Sequence, residues 1–356
     1  MPLPSLSSLP SKGWWSRRSR NTKRRLVFYG ALLFIIIATV AFMTSMPGQS
    51  FRGAQPALDA REAALDSRLR ELVETLATEI GERNIPDHAP ALADAARFIE
   101  TTLKASALEP RSLAADVGKQ HCENIDAEIR GVQGDIVLVG AHYDSALGTR
   151  GADDNASGSA AVLALAERYA KRYPKDARDK PRRTLRFALF VNEEPPYFWN
   201  ANMGSLVYAK AARAKNEPIA AMLSLETMGY FTDAPGSQKY PVPVGFIYPS
   251  AGDFIGFVGN VASRSLTRRA VRTFRARAHV PSEGVAFPGF IPGVGWSDHW
   301  SFWQAGYEAV MVTDTAPFRN PHYHKSTDTP ETLDYARFAR VVAGLEDVID
   351  DLLARD

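Results

Sequence analysis

The 356-residue chain has a single cysteine, Cys122, which excludes an internal disulfide framework. Internal repeats and low-complexity segments are also missing, which argues against solenoid arrays and disordered tracts. Residues 1–25 contain no acid but seven basic side chains: Lys12, Arg17, Arg18, Arg20, Lys23, Arg24 and Arg25. The formal net charge is +2, so beyond this +7 head the chain carries −5. A mildly acidic body argues against nucleic-acid binding. Residues 26–46 contain no charge at all. Only one glycosylation triplet occurs, Asn155-Ala156-Ser157, and it lies in a loop too crowded for a glycan. That scarcity points to a bacterial rather than a secretory-pathway ectodomain.

The uncharged stretch reads LVFYGALLFIIIATVAFMTSM. As a helix it would extend about 30 Å, the thickness of a bilayer's hydrocarbon core. It is longer than the ~7–15 apolar residues of a cleaved signal peptide. The basic cluster precedes it and Arg52 alone follows closely, an asymmetry that places the N-terminus inside. The expected organisation is a cytoplasmic tail (1–25), a signal anchor in membrane lipid (26–46), a polar linker (47–59) and an exported body (60–356). In a bacterium the body would face the periplasm from the inner membrane.

The body holds 45% apolar content's worth of core-forming material, taken over the whole chain. Apolar residues at helical spacing predict helices over 60–82, 89–107, 253–277 and 336–353. Apolar runs predict strands over 123–129, 135–141, 184–191, 219–225 and 307–313. Strands alternating with helices imply an α/β sandwich around a largely parallel or mixed sheet. Arg264, Arg268, Arg269 and Arg272 are expected on a solvated helix face, and His88, His121 and His279 at the surface.

Chemistry-bearing residues recur at strand ends. The strand over 135–141 delivers His142, and a Gly-rich turn then supplies Asp144, Asp153 and Asp154. The next strand ends at Glu193 and Glu194, the following one at Glu226, and the last is followed by His322 and His324. Hard oxygen donors with imidazoles form a ligand set that zinc takes. One of two adjacent acids can face a metal while the other moves a proton.

HYDS, GADDNASG, the Glu-Glu pair, ETMGYF and YHKSTDT, in this order, resemble metallopeptidase family 28, the co-catalytic zinc exopeptidases. The resemblance spans about residue 65 to the C-terminus. It implies a three-layer α/β/α sandwich with a mixed eight-stranded sheet, two zinc ions and a peptide or amino-acid-conjugate substrate. By position, His142 and Glu226 match ligands of one zinc, Glu194 and His324 those of the other, and Asp154 the bridging carboxylate. Glu193 matches the general base, Asp144 the acid that orients His142, and Tyr323 a tyrosine that stabilises the tetrahedral intermediate. Glu226 stands where relatives more often have Asp.

Two stretches depart from the family pattern. The Glu pair is followed by PPYFWNANMGS, so Tyr197, Phe198 and Trp199 are expected to wall a substrate pocket. Residues 240–296, rich in Gly, Pro and aromatics, could form a lid, and His299 beyond them is expected near the pocket. The resemblance also leaves a single-zinc glutaminyl cyclase and a non-enzymatic receptor as alternatives. An aminopeptidase fits the GADDNASG loop and the complete ligand set best.

Overall fold

A computed structural model describes residues 19–241 and 244–354. The expected cytoplasmic tail lies outside the described residues as far as residue 18. The chain divides into two units, Met1–Ser45 and Met46–Asp356.

In the first unit, helix α1 (Arg20–Thr44) opens with the Ser19 side chain accepting the Thr22 amide, at 3.2 Å. None of its residues is buried, and it is long and apolar enough to cross a membrane.

The second unit is built on one eight-stranded sheet. Its strands are β1 (Arg111–Ala114), β2 (Glu123–Ile129), β3 (Ile136–His142), β4 (Thr184–Phe190), β5 (Ile219–Glu226), β6 (Ile255–Gly259), β7 (Ser282–Ala286) and β8 (Ala309–Thr313). They lie in the order β1-β2-β4-β3-β5-β8-β6-β7. The central run β4-β3-β5-β8 is parallel, while β1, β2 and the β6–β8 pairing are antiparallel. Every residue of β3 and β4 is buried, as expected of strands covered on both faces, with Arg186 of β4 paired to Glu128 and Glu217.

The covering helices are α2 (Ala60–Glu74), α3 (Ala89–Ala105), α4 (Gly158–Arg172), α5 (Gly204–Ala214), α6 (Arg264–Arg277), α7 (His299–Gln304), α8 (Ala316–Arg319) and α9 (Tyr335–Leu353). Helix α2 begins in a capping box, Asp59 accepting the Glu62 amide and Glu62 accepting that of Asp59. Its Leu65, Leu69 and Leu72 join Leu345, Val348, Ile349 and Leu352 of α9 in one core cluster. A second cluster contains Phe190, Tyr208 of α5 and Phe302 of α7.

The sandwich agrees with the expected class, with two corrections. The segment 253–277 is not one helix, because the Gly-bounded run IGFVG forms β6 before α6 begins. The stretch 240–296 is not a lid as a whole, since it contains β6, α6 and β7, all part of the sandwich.

Candidate metal centre

Parallel strands β3, β4, β5 and β8 all end at one sheet edge, where α/β proteins form their crevices. His142 closes β3 and is fully buried. Two residues on, the Asp144 carboxylate accepts the backbone N–H groups of Glu193 and Glu194, both at 3.1 Å. The turn after β3 thus fixes the turn after β4, which Asn192 enters at a left-handed φ of 57°.

The loop before α4 is held in a parallel way. Gly151 turns it at φ 57°, and a Cβ there would lie 2.2 Å from the Asp154 carbonyl oxygen, so only glycine fits. The Asp328 carboxylate then accepts the N–H groups of Asp153 and Asp154, at 2.9 and 3.1 Å. Glu226 ends β5, and Ser297 donates to its Oε2 at 2.6 Å. His324 comes from the loop after α8, itself at φ 54°.

Asp154 lies between two pairs of donors. Its Oδ1 is 3.3 Å from His142 Nε2, which is also 3.3 Å from Glu226 Oε2. Its Oδ2 is 3.0 Å from His324 Nε2, which is 3.2 Å from Glu194 Oε2. Ligand atoms of His142, Asp154 and Glu194 fall within 4.8 Å of one another. Both ring nitrogens of His142, Asp154 Oδ1 and Glu194 Oε1 are buried without a hydrogen-bond partner. Orphaned buried atoms are costly, and these four are all metal-ligating types. The donor set therefore fits a metal.

The electrostatics agree. Burial and the Asp154 charge push the Glu194 carboxyl up to about 8. Burial also raises Glu193, opposed by His142 and reinforced by Glu226 and Glu194. Although burial works against them, both histidines are raised. Glu226 and Glu193 raise His142, while hydrogen bonds to Asp154 and Glu194 lift His324 to about 11. Asp154 is depressed because the attraction of the two nearby histidines outweighs its burial. A surplus of buried carboxylate favours cations, whether protons on the rings or a metal in their place.

The other sequence candidates are more scattered. Tyr323 stacks on the His324 ring at 3.9 Å and lines an apolar cavity together with Glu226, Tyr240, Phe254, Trp296 and Phe318. Tyr197, Phe198 and Trp199 are not among the cavity's walls. Trp199 stacks on Phe198 and Trp300, and its Nε1–H donates to the Gly295 carbonyl oxygen at 2.9 Å. That aromatic step braces the loop before α7.

His299 does not line the cavity either. It is fully buried, its Nε2–H bonded to the Val294 carbonyl at 2.8 Å and its ring against Trp303. Burial drops it to about 4. The folded domain therefore binds fewer protons than the unfolded chain between about 6.5 and 4, and loses stability as pH falls through that window. The gap amounts to about 3 kcal/mol at most. Chemical denaturation across this range should show that loss, and His299→Gln should flatten it; an unchanged slope would reject the assignment.

Several supporting residues have no clear sequence signal. Arg83 is fully buried and donates to the carbonyls of Tyr143 and Gly151, at 2.6 and 2.9 Å, and to that of Arg150. It thus ties α2's following turn to both metal-site loops. Asp153 accepts from the Gly229 amide and Asn320, and Asp298 is buried near the centre with both oxygens unpartnered. The triplet Asn155-Ala156-Ser157 is wholly buried, as expected of an unglycosylated site.

The profile of Peptidase family M28 matches residues 124–349. Among curated proteins the chain is similar to YfbL of Escherichia coli (strain K12), at 32% identity over 90% of this chain and 97% of that protein. It is 28% identical to a probable leucine aminopeptidase of Trichophyton verrucosum over 60% of this chain, spanning about half (52%) of that protein's length. In fold it is similar to the LapA aminopeptidase of Legionella pneumophila (TM-score 0.62, 15% identity, 85% of this chain and 78% of that one). It is also similar to the glutaminyl cyclase of Tannerella forsythia (TM-score 0.58, 18% identity, 80% and 98%). With that profile match and the histidine–carboxylate cluster at the sheet edge, the chain belongs to peptidase family M28 and is a zinc metallopeptidase.

Proposed function

We propose that this protein is an aminopeptidase with two zinc ions, anchored by α1 so that its N-terminus is cytoplasmic and the Met46–Asp356 unit extracytoplasmic. The observation that carries the reading is Asp154, whose two oxygens each face a different histidine, each histidine in turn facing a different glutamate. His142 and Glu226 would hold one ion, His324 and Glu194 the other, with Asp154 shared. Zinc so placed supplies Lewis acidity and a water acidic enough to attack near neutral pH.

The chain's own residues do the rest. Glu193 is buried beside the cluster, 3.9 Å from His142 Nε2. Its raised affinity for a proton suits a base that takes one from the attacking water and returns it to the leaving amine. Asp144 holds Glu193 and Glu194 in place through their backbone amides. Tyr323, beside His324, would donate its phenolic proton to the developing oxyanion. The apolar cavity that begins at Glu226 and Tyr323 would take the substrate's N-terminal side chain.

A glutaminyl cyclase is the second reading, favoured by the likeness to cyclase structures. The test is turnover by the full-length protein in detergent. Aminoacyl amides should be hydrolysed, and their N-acetylated forms should not. Cyclisation of an N-terminal glutaminyl peptide without amide hydrolysis would replace the aminopeptidase by the cyclase.

A further inference from the structure

We propose that Glu283 makes the apolar cavity selective for substrates whose N-terminal residue is basic, lysine or arginine. The proposal rests on the aminopeptidase reading and specifies the substrate of that site.

The sheet register sets the geometry. Glu226 on β5 pairs with Thr313 on β8, Thr313 with Gly256 on β6, and Gly256 with Glu283 on β7. All four line the cavity, so its floor runs along one register line from the metal centre to the edge strand. Three strand spacings make that line about 14 Å long. Directly paired residues share a face, so Glu226 and Glu283 project into the same space. Between them Gly256 contributes no side chain; a Cβ there would already touch Thr313 and Thr315. The floor is thereby left open between the two carboxylates. A leucine side chain would end well short of Glu283, whereas the longer stems of lysine and arginine carry a cation toward it.

The walls suit such a side chain. Tyr240, Tyr248, Phe254 and Phe287 offer apolar surface for an alkyl stem. Among the described residues, no lysine or arginine lines the cavity, and besides Glu226 the one acid is Glu283. Its side chain is only 21% exposed. Burying a carboxylate against aromatic rings is costly unless it is paired. Its ion-pair partner is Arg275 Nη2, at 3.5 Å, the limit of a hydrogen bond, and Arg52 adds a more distant positive charge. The Arg275 donors bind closer elsewhere: the Ser282 carbonyl at 2.7 Å and the Gly48 carbonyl at 3.1 Å. That arginine clamps the edge strand and leaves Glu283 facing the cavity incompletely paired. A substrate ammonium or guanidinium would complete it.

The test compares kcat/KM for lysinamide, argininamide, methioninamide and glutamic acid α-amide with the full-length protein, in wild type and Glu283→Gln. The wild type should favour lysine and arginine over methionine by about tenfold or more, with the acidic residue poorest. In Glu283→Gln the lysine-to-methionine ratio should fall to near one. That ratio is internal to each variant, so it does not depend on how much of the variant folds. Methionine turned over as well as lysine by the wild type, or a ratio unchanged in Glu283→Gln, would overturn the selectivity and leave the aminopeptidase reading standing. No hydrolysis of any amide would overturn both.

Discussion

Replacing Glu193 by Gln is expected to lower turnover by about 10²- to 10⁴-fold, the range for losing a positioned general base. Zinc content should be unchanged. Glutamine preserves the shape of the side chain, and the Glu193 backbone amide that bonds Asp144 is untouched. What disappears is the ability to accept a proton beside the metal-ligating cluster. In the assigned geometry Glu193 is not among the five residues that would hold the ions, His142, Asp154, Glu194, Glu226 and His324, so the cluster stays complete. Steady-state kinetics alongside elemental analysis separate these effects. Retained activity would remove Glu193 as the base, and lost zinc would make it a ligand.

The second large effect is expected at Asp154. Asp154→Asn keeps the side chain's volume but removes the charge that faces both histidines. Each ion would lose its shared ligand, leaving His142 with Glu226 and His324 with Glu194 to hold the ions without it. Zinc affinity should fall by more than the ~10- to 100-fold typical of removing a group that merely supports a ligand. Asp328→Asn provides that comparison, because Asp328 touches the loop only through the Asp153 and Asp154 amides. Competition with a chelator measures both. Equal losses in the two variants would reduce Asp154 to a loop brace.

Much of this architecture could be read in the residue order. The central strands are largely apolar on both faces, so β3, β4 and β5 stand out as short runs broken only by Arg186 and Ser224 inside them, and each leads into acids or a histidine at its C-terminal end. That pattern placed His142, Glu193, Glu194 and Glu226 at one edge before any coordinates. The edge strands were less legible for a physical reason. β1 is four residues long and largely exposed, and β7 alternates buried and half-buried positions around a glycine. β6 is a five-residue run directly ahead of a long amphipathic helix, so helical periodicity absorbed it.

Within the site, the candidate ligands are conspicuous because their types are unusual at strand ends. Their supports are not. Arg83 and Asp328 act through backbone carbonyls and amides, contacts that depend on loop conformation and carry no residue-type signature. The aromatic segment after the Glu pair stands apart from the apolar cavity. Tyr197, Phe198 and Trp199 suggested a pocket wall, yet Trp199 spends its indole on Gly295 and packs against Trp300. Exposed aromatics can brace a loop as readily as bind a substrate.

The central claim is that one carboxylate, Asp154, serves two metal positions. The most direct test is zinc per chain in the purified full-length protein after equilibration with limiting chelator. Two zinc ions per chain in the wild type, falling below one in Asp154→Asn, is the predicted result. A single ion per chain in the wild type, or two retained in Asp154→Asn, would contradict it.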